Sequence, residues 1–587
     1  MSSEKVEIPS IAKTLFYGEV HEEYLFPFPT LSADQKVTVT EMIDAIQGFG
    51  ESIDKRHIDE VGEISKEIKK TVGELGLCGL AVPEKFGGLE LDYSLYSRIF
   101  GEISAIDASI ATMLGAHQSI GFRALLNEGT EAQKAKWLPR LASGEIFAAF
   151  CLTEPGSGSD AYSIKTKAVR NSNGTFTITG QKLWITNAGL AEFYTVFAKT
   201  DHIDNGKKTE KISCFIVEKS MPGVSFGEKE QKMGIKASET RAVYLDKVVV
   251  PEENIIGELG KGFKIAMNIL NTGRLSIGSG AVGGIRALLK LSTNHAKNRK
   301  QFGKPIADFA LIQEKLARMA SLGYATECMT YMTTGKMSEG MKDYSVESAM
   351  CKIYGSEALW QSVDMAMQIA GGNGYMKEYP YELYMRDSRI NLIFEGTNEI
   401  IRVFIALSGI SGPSEDLKAL GKIADVSKAI SDPIKSLGVL TDFAKKRMKK
   451  IISTKSLTKC HKDLEPIAEK FTSMLSDFAI KVENIILKYG KNIIGTELPQ
   501  KRLAEMSTDL YAMICLLSRT TSILNNPEVS DAKKEYVKSL CKLAFQESRD
   551  RYVYNAKKLS INNDTDIKIA SSYMVEAEGY DLDIINY

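Results

Sequence analysis

The spacing of apolar residues changes twice along the chain, and this change restricts the fold more than any other feature. Between residue 36 and about 147 the apolar positions recur at helical spacing, in amphipathic stretches at 37–48, 58–75, 91–103 and 109–126. From about 148 the pattern becomes β-branched and aromatic, and from 263 to about 410 helical spacing returns. A small β domain between two helical domains is therefore predicted.

Turn residues bound the segments that favour β structure. The predicted strands are Thr175–Thr186, Phe193–Lys199, Ile212–Glu218 and Arg241–Val250. Asn173 and Gly174 precede the first strand, and an Asn-Gly pair is typical of a tight hairpin turn. The expected fold class is α+β, mainly α.

At 587 residues the chain is too long for one hydrophobic core. The predicted segments are an N-terminal arm at 1–35, a helical domain at 36–147, a β domain at 148–262, a helical domain at 263–412 and a helical extension at 413–587. The extension is richer in lysine and asparagine than the preceding domain, which indicates a further, appended domain.

Composition excludes several classes of protein. Lys plus Arg and Asp plus Glu both number 74, so no net charge favours nucleic acid. The eight cysteines include no CxxC pair, and no two of the six histidines stand at ligand spacing, so no metal site is predicted. No apolar run has the roughly 18 residues of a membrane span. We expect a soluble protein, cytoplasmic if bacterial, or of the mitochondrial matrix if processed.

An acidic residue stands at the edge of an apolar segment in Asn391–Arg402. Glu395 follows Ile393 and Phe394 and precedes Gly396, so a turn is predicted before the next helix. A carboxylate in dry surroundings has a raised pKa and is a competent base near neutral pH. The alternative interpretation is an acid that caps the following helix.

The β domain opens with a turn that can hold a polar ligand. In Ala148–Asp160, strand-forming residues lead into Pro155, Gly156 and Gly158, whose turn exposes amides and hydroxyls. Trp184 and Thr186 then share one face of a predicted strand, which suits a flat cofactor ring. A surface loop and a tryptophan in the β core are the alternatives.

A glycine pattern at Gly278, Gly280 and Gly283 matches the dinucleotide-binding fingerprint letter for letter. That fingerprint requires a preceding strand and an acid about twenty residues later. Neither is present, because the glycines lie within the long helical pattern Phe263–Arg299. We therefore predict that these small residues permit close helix packing.

Two further segments carry weaker signals. Arg299 and Lys300 can neutralise a pyrophosphate or cap a helix dipole. Gln368 lies one turn before a helix end at Gly371 and Gly372. Together, in this order, the motifs are AFCLTEPGSGSD, KLWITN, RKQFGKPI, QIAGGNGY and RDSRINLIFEGTNEIIR. From about residue 40 to 410 the chain thus resembles the flavin-dependent acyl-CoA dehydrogenase family. The chain also resembles the very-long-chain branch of this family, through the segment DLYAMICLLSR at Asp509–Arg519 and through the helical extension.

The resemblance implies FAD as cofactor and a homodimer, in a fold of a helical domain, a β-barrel-like domain, a four-helix-bundle domain and the extension. The flavin would be lined by Phe150, Cys151, Leu152, Thr153, Gly158, Ser159, Trp184, Ile185 and Thr186. The neighbouring subunit would contribute Arg299, Gln301, Phe302, Gln368, Gly371 and Gly372. Thr397, Asn398 and Glu399 would complete the cofactor site.

The resemblance also implies the reaction. Glu395 would remove a proton from the α carbon of a fatty acyl-CoA thioester while a hydride leaves the β carbon. Some family members carry the base immediately before the equivalent of Arg274, but this chain has Gly273 there. The other residues expected at the substrate are Ser159, Asn271, Arg274, Phe394 and Gly396, with Ala111 and Gly115 at the floor of the acyl pocket.

Small residues at the pocket floor predict a long-chain substrate, although Ala111 stands where the very-long-chain pattern has glycine. Electrons would pass to an electron-transfer flavoprotein. The alternatives are an acyl-CoA oxidase and a non-catalytic assembly protein on the same fold. A basic amphipathic pattern at 434–452 predicts either peripheral membrane contact or a helix packed on the extension.

Overall fold

The computed structural model describes residues 8–423, 456–583 and 585. The chain divides into two compact units. The first contains Met1–Ser10, His21–Ile401 and Cys515–Ala544, and the second contains Ile11–Val20, Arg402–Ile514 and Phe545–Tyr587. The predicted basic helix at 434–452 lies outside the described residues.

The first unit begins with short and medium helices. They are Glu22–Leu25, Ala33–Glu51, Lys55–Val61, Lys66–Glu74, Tyr93–Ile106, Ala108–Leu114, Arg123–Glu128 and Glu131–Ala142, with a π-helical turn at Gly115–Gly121. Polar residues mark where these helices begin. Ser32 and Thr130 each form a capping box with a glutamine three residues later. Asp107 accepts a hydrogen bond from the Ile110 N–H and so caps its helix.

A mainly antiparallel sheet follows in the first unit. Its strands are β1 (Ala148–Cys151), β2 (Lys167–Arg170), β3 (Phe176–Thr186), β4 (Phe193–Asp204), β5 (Lys207–Glu218), β6 (Val224–Phe226), β7 (Thr240–Val250) and β8 (Ile255–Ile256). The order is β6-β7-β3-β2-β4-β5-β8, and β1 pairs with β4 in parallel. Phe176, Phe215 and Val248 are among the side chains in the core of the sheet.

The predicted strands are confirmed, and so is the hairpin at Asn173 and Gly174, where β2 pairs with β3. The structure extends β4 to Asp204 and starts β5 at Lys207, so both strands are longer than predicted. The reason is the Asn205-Gly206 turn, in which both residues have positive φ, as a two-residue hairpin of type I′ requires. The polar residues beside this turn obscured the strand pattern.

Long helices complete the first unit. Three long helices pack on one another, namely Gly262–Asn298, Ala310–Ser338 and Ser345–Ala370. The helices Gly262–Asn298 and Ala310–Ser338 also pack on Tyr93–Ile106. Shorter helices at Gly372–Tyr375 and Tyr381–Ser388 lead to the helix Asn398–Ile423, which belongs to the second unit from Arg402 onward. The Gly278–Gly283 segment lies inside a helix, as predicted. A methyl group at Gly283 would lie 1.8 Å from the Gly101 carbonyl oxygen, so the glycine permits a close helix crossing.

Part of the predicted extension packs with the first unit. Arg519 forms an ion pair with Glu327 at 3.0 Å, and Glu327 also binds Arg286 at 2.5 Å. Nearby, Tyr324 and Thr520 share a hydrogen bond of 2.9 Å between their hydroxyls. Residues 515–544 therefore belong to the first unit, whereas the sequence places them in the extension. The predicted domain boundaries themselves stay predictions.

The second unit is helical. It contains Ile11–Leu15, Glu465–Tyr489, Asp564–Glu576 and parts of Glu497–Leu524 and Asp531–Lys558. Arg551 binds Asp509 at 2.5 Å, and the Tyr552 hydroxyl donates to the Met474 carbonyl at 2.8 Å. None of the helices described here is both long enough and apolar enough to cross a bilayer.

Gly283→Ala should destabilise the protein, because the new methyl group meets the Gly101 carbonyl. Overpacking of this kind costs about 1–3 kcal/mol, so the first calorimetric unfolding transition should shift to lower temperature. The matched control is Gly48→Ala, which adds a methyl group with no atom within 4 Å and should leave or raise that temperature. A Gly283→Ala protein with wild-type unfolding would contradict the close crossing.

Candidate active site

A cleft with about 1110 Å³ of empty space lies within the first unit. Stripes of residues from separate segments line it. One stripe on the Gly262–Asn298 helix consists of Gly273, Ser276, Ile277, Gly280, Ala281 and Gly284. A second lies on residues 107–120, and a third on residues 380–395. Most of the lining side chains are small or apolar, so the cleft suits an extended apolar ligand.

Glu395 lines this cleft and is the last residue of the third stripe in sequence order. Its Oε2 atom is shielded from solvent and has no hydrogen-bond partner among the described residues. Burial raises the pKa of Glu395 to about 7, although the charges of Arg274 and Lys352 act in the opposite direction. The alternative of a solvent-facing helix-capping acid does not fit this environment.

The backbone at Glu395 has an unusual conformation that two cations stabilise. Glu395 has a φ of 57° and Gly396 a φ of 95°, both in the region that favours glycine. Arg274 Nε donates to the Glu395 carbonyl at 3.3 Å, and Lys352 Nζ donates to the Gly396 carbonyl at 2.8 Å. A non-glycine residue in this conformation costs about 1–3 kcal/mol and marks functional sites.

Lys352 is a site residue that the sequence interpretation missed. Its side chain is fully buried in the Ser345–Ala370 helix, and Nζ also donates to Asn398 Oδ1 at 2.7 Å. Burial lowers the pKa of Lys352 to about 7, although the neighbouring charge of Glu395 raises it. A lone lysine within an apolar helical pattern was the available signal, since lysine is rarely buried without a partner.

Gly273 leaves room for the Glu395 carboxyl. A methyl group at Gly273 would lie 2.8 Å from Glu395 Oε2 and 2.9 Å from the carboxyl carbon. The two positions at which the family resemblance allows a base thus converge on the same point of the cleft. Only Glu395 carries an acid there.

Several of the predicted substrate residues lie around this point, whereas the substrate contact of Ser159 stays a prediction. Asn271 Oδ1 accepts a hydrogen bond from Arg274 at 3.1 Å, and Phe394 lines the cleft next to Glu395. The Glu395 N–H has no acceptor among the described residues, so it can donate to a ligand. Ala111 and Gly115 also line the cleft, within the second stripe. Their assignment to the floor of the acyl pocket stays a prediction.

The β-domain turn is anchored by a buried ion pair that the sequence interpretation also missed. Lys182 Nζ donates to Glu154 Oε1 at 2.8 Å, and Glu154 accepts from the Lys165 and Thr166 N–H groups. Gly158 and Ser159 are exposed beyond this anchor. Glu154 therefore holds the turn in place while its tip stays open to a ligand.

The candidate cofactor residues of the β domain fall into two groups. Cys151, Leu152 and Ile185 are buried, so only their backbone atoms can reach a ligand. Phe150 and Thr153 are partly buried, Trp184 is 64% exposed, and Thr186 lines the cleft together with Glu395. An exposed indole beside a hydroxyl, near a shielded carboxyl, fits the flat ring and polar edge of a flavin.

The residues predicted to act from a neighbouring subunit are all exposed, and none of them lines the cleft. They are Arg299, Gln301, Phe302, Gln368, Gly371 and Gly372. Phe302 is 94% exposed at a hairpin turn. Their assignment to the cofactor site of a second subunit stays a prediction.

Three predicted cofactor residues follow Glu395. Thr397 is partly buried and Glu399 is exposed. The Asn398 side chain is buried and binds Lys352, Ser356 and Glu357 of its own chain. The Asn398 side chain thus supports the Glu395 turn instead of facing a ligand, and only its backbone remains for the predicted cofactor contact.

Comparison with known proteins agrees with this geometry. Residues 40–145, 149–248 and 260–409 match the N-terminal, middle and C-terminal domains of acyl-CoA dehydrogenase, respectively. Residues 462–580 match the ACAD9/ACADV C-terminal domain. The very long-chain specific acyl-CoA dehydrogenase, mitochondrial, of Rattus norvegicus is 43% identical over 530 residues, which cover 89% of this chain and 80% of the relative.

Solved structures give the same result. The acyl-CoA dehydrogenase complexed with FAD from Bacillus anthracis has a TM-score of 0.78 and 32% identity, covering 98% of this chain and 96% of that chain. A chain in the structure of the electron transferring flavoprotein of Acidaminococcus fermentans has a TM-score of 0.60 and 35% identity, covering 65% of this chain and 98% of that chain.

The chain belongs to the acyl-CoA dehydrogenase family. Within that family, the C-terminal match and the rat relative confirm the predicted similarity to the very-long-chain branch. The predicted fold and the predicted class of FAD-dependent acyl-CoA dehydrogenase are confirmed at the level of the family. Homodimers are typical of the family, and the dimeric state of this chain stays a prediction.

Lys352→Met should raise the pKa of Glu395, because it removes one of the two positive charges that lower it. A rise of about one pKa unit corresponds to about 1.4 kcal/mol of lost interaction. Infrared titration of the carboxyl band, with Glu395→Gln as the reference for subtraction, measures this pKa. The control is Lys336→Met, since Lys336 is buried but pairs with Glu339 at 2.7 Å. A pKa that stays unchanged in Lys352→Met would show that the lysine charge does not act on the carboxyl.

Proposed function

We propose that the protein oxidises long-chain fatty acyl-CoA thioesters to trans-2-enoyl-CoA, the first step of fatty acid β-oxidation, with Glu395 as the base. The observation that carries this proposal is the shielded Glu395 Oε2, which lacks a hydrogen-bond partner in the described part of the chain and belongs to a residue that lines a mostly apolar cleft. An unpaired carboxylate in such a place is poised to accept a proton from a ligand.

Deprotonation next to a thioester carbonyl requires both a base and a means of stabilising the enolate charge. Glu395 takes the proton from the α carbon, and its raised pKa matches that task near neutral pH. The unpaired Glu395 N–H is a donor for the thioester oxygen. One such donor in a site without water contributes about 3 kcal/mol to catalysis.

The cofactor would be held by both faces of the site. One chain would offer amides, hydroxyls and an aromatic face through Gly158, Ser159, Trp184 and Thr186. A second chain would contribute Arg299, Gln301 and Phe302. FAD supplies the acceptor for the hydride that leaves the β carbon. The apolar stripes exclude water from the reacting carbons, which strengthens every electrostatic interaction there.

The length of the cleft supports a long acyl chain. From Gly273, beside Glu395, to Gly284 the first stripe spans eleven residues of one helix, which is about 16 Å at 1.5 Å per residue. An extended alkyl chain advances by a little less than the ~1.5 Å of one carbon–carbon bond per carbon. The stripe can therefore accompany a chain of about 12 carbons by this estimate.

We infer that an electron-transfer flavoprotein is the acceptor, because the relatives are dehydrogenases. The rat relative is named as mitochondrial, whereas the compartment of this chain stays a prediction. Two alternatives can be distinguished from this proposal by measurement. A reduced oxidase passes its electrons to oxygen, whereas an assembly protein does not oxidise acyl-CoA.

Glu395→Gln should bind acyl-CoA but reduce its flavin about 10²- to 10⁴-fold more slowly, because the amide cannot accept the proton. Anaerobic stopped-flow spectroscopy of the flavin band with hexadecanoyl-CoA measures this rate. Glu378→Gln is the matched control, since Glu378 is exposed and outside the cleft. Near-normal flavin reduction in Glu395→Gln would assign the base to another residue.

Substrate-reduced protein should reoxidise slowly in air and rapidly with an electron-transfer flavoprotein. The reason is that the proposed function passes electrons to a protein and not to oxygen. The measurement follows the return of the flavin absorbance after anaerobic reduction by hexadecanoyl-CoA, with and without the acceptor protein. Fast reoxidation in air would identify an oxidase, and purified protein that takes up no FAD would favour the assembly protein.

A further inference from the structure

One part of the cleft is polar. Lys55, Asp107, Tyr384 and Asp387 line it, whereas the stripes between them and Glu395 are mostly small or apolar. We call these four residues the polar end. Neither the mechanism nor the family resemblance uses them.

Contacts along the first stripe separate the polar end from the reacting carbons. Gly273 lies against the Glu395 carboxyl, and a methyl group at Gly280, two turns further along that helix, would lie 3.0 Å from Ser104 Oγ. Ser104 adjoins Ala105, whose carbonyl accepts hydrogen bonds from Lys55 Nζ at 3.2 Å and from the Tyr384 hydroxyl at 3.4 Å. The cleft thus contains the Glu395 carboxyl and an ammonium group about two helical turns apart along the first stripe.

The charges of the polar end are not paired with one another. In the described part of the chain Lys55 forms no ion pair with either carboxylate, although Asp107 and Asp387 are near enough to raise its pKa. Each carboxylate instead accepts a backbone hydrogen bond, from Ile110 at 2.9 Å and from Ile235 at 2.5 Å. Burial lowers the pKa of Lys55 and raises the pKa of Asp387 to about 7.

An alkyl terminus placed among these groups would remove water from them and supply no hydrogen bond in return. Polar groups that lose water without a partner are costly, and charged groups more so. A hydroxyl group can accept from Lys55 and donate to Asp387, so it would compensate for the lost water. A terminal carboxylate would meet Asp107 and Asp387 and be repelled by them.

We propose that the polar end is a subsite for a hydroxyl group on the far terminus of the acyl chain, so that ω-hydroxyacyl-CoA thioesters are substrates. This inference rests on the proposed function, because it assumes that the acyl chain lies in the cleft with its thioester at Glu395. Lys55 is then a specificity-determining residue. Unsubstituted chains that reach the polar end are disfavoured relative to those that stop short of it.

The experiment compares saturated acyl-CoAs from octanoyl to octadecanoyl with their ω-hydroxy counterparts, as kcat/KM with a dye acceptor. At the length whose terminus reaches the polar end, the hydroxyl should raise kcat/KM by about tenfold, the effect of one hydrogen bond to a charged group. Lys55→Met should abolish the increase in kcat/KM that the ω-hydroxyl gives, and Lys55→Arg should retain that increase. Lys66→Met, at an exposed lysine outside the cleft, is the control and should keep the wild-type ratio.

Binding is measured separately in a Glu395→Gln background, where the proposed chemistry is blocked. Calorimetric titration should give a lower Kd for the ω-hydroxy thioester than for its unsubstituted counterpart, and Lys55→Met should remove the difference. Equal Kd and kcat/KM values at every chain length would overturn the subsite while leaving the proposed function intact. A wild-type protein that oxidises no acyl-CoA, with or without the hydroxyl, would overturn both.

Discussion

The hydrogen bond from the Lys352 ammonium to the Gly396 carbonyl is the interaction on which the active site depends. It acts with the Arg274 contact to the Glu395 carbonyl, so that two buried cations fix adjacent peptide groups in a left-handed conformation. The cations bind carbonyl oxygens and leave Glu395 Oε2 unpaired. They can thus position the carboxylate and moderate its pKa without occupying the atom that must accept a proton. A direct ion pair would position it equally well but would make it a weaker base.

The same glycines that let the helices approach one another also create the cleft. On the Gly262–Asn298 helix, Gly283 meets Gly101 of a neighbouring helix, whereas Gly273 and Gly280 face the empty space. A helix with small residues on more than one face can pack closely on one side and leave a channel on the other. This accounts for a glycine pattern that matches a nucleotide-binding motif in letters but lacks the strand that such a motif needs.

The sequence was sufficient for the periodic parts of the fold and for the acid, and insufficient for the residues that act through packing. The strand Phe176–Thr186 and the long helix at 262–298 follow from patterns of two and of 3.6 residues. Glu395 stood out because an acid beside an apolar run is a local signal. Lys55 and Asp387 are far apart in the sequence and come near each other only in the folded chain, so no local pattern joins them. The packing of residues 515–544 with the first unit likewise depends on contacts such as Arg519 with Glu327.

A largely apolar channel lined by ionisable groups at two separate points imposes a condition on its ligand at each point. At Glu395 the condition is an acidic carbon, because the carboxylate is unpaired and can accept a proton. At Lys55 the ligand must carry a polar group that accepts a hydrogen bond in place of the displaced water. The reason is that the ammonium has only the Ala105 carbonyl as a hydrogen-bond partner in the described part of the chain. The helical stripes fix the distance between these conditions, since a helix changes its length little. The cleft therefore selects its ligand by chain length and by terminal group at the same time. A change at Lys55 should alter the preferred chain length and the preferred terminal group together.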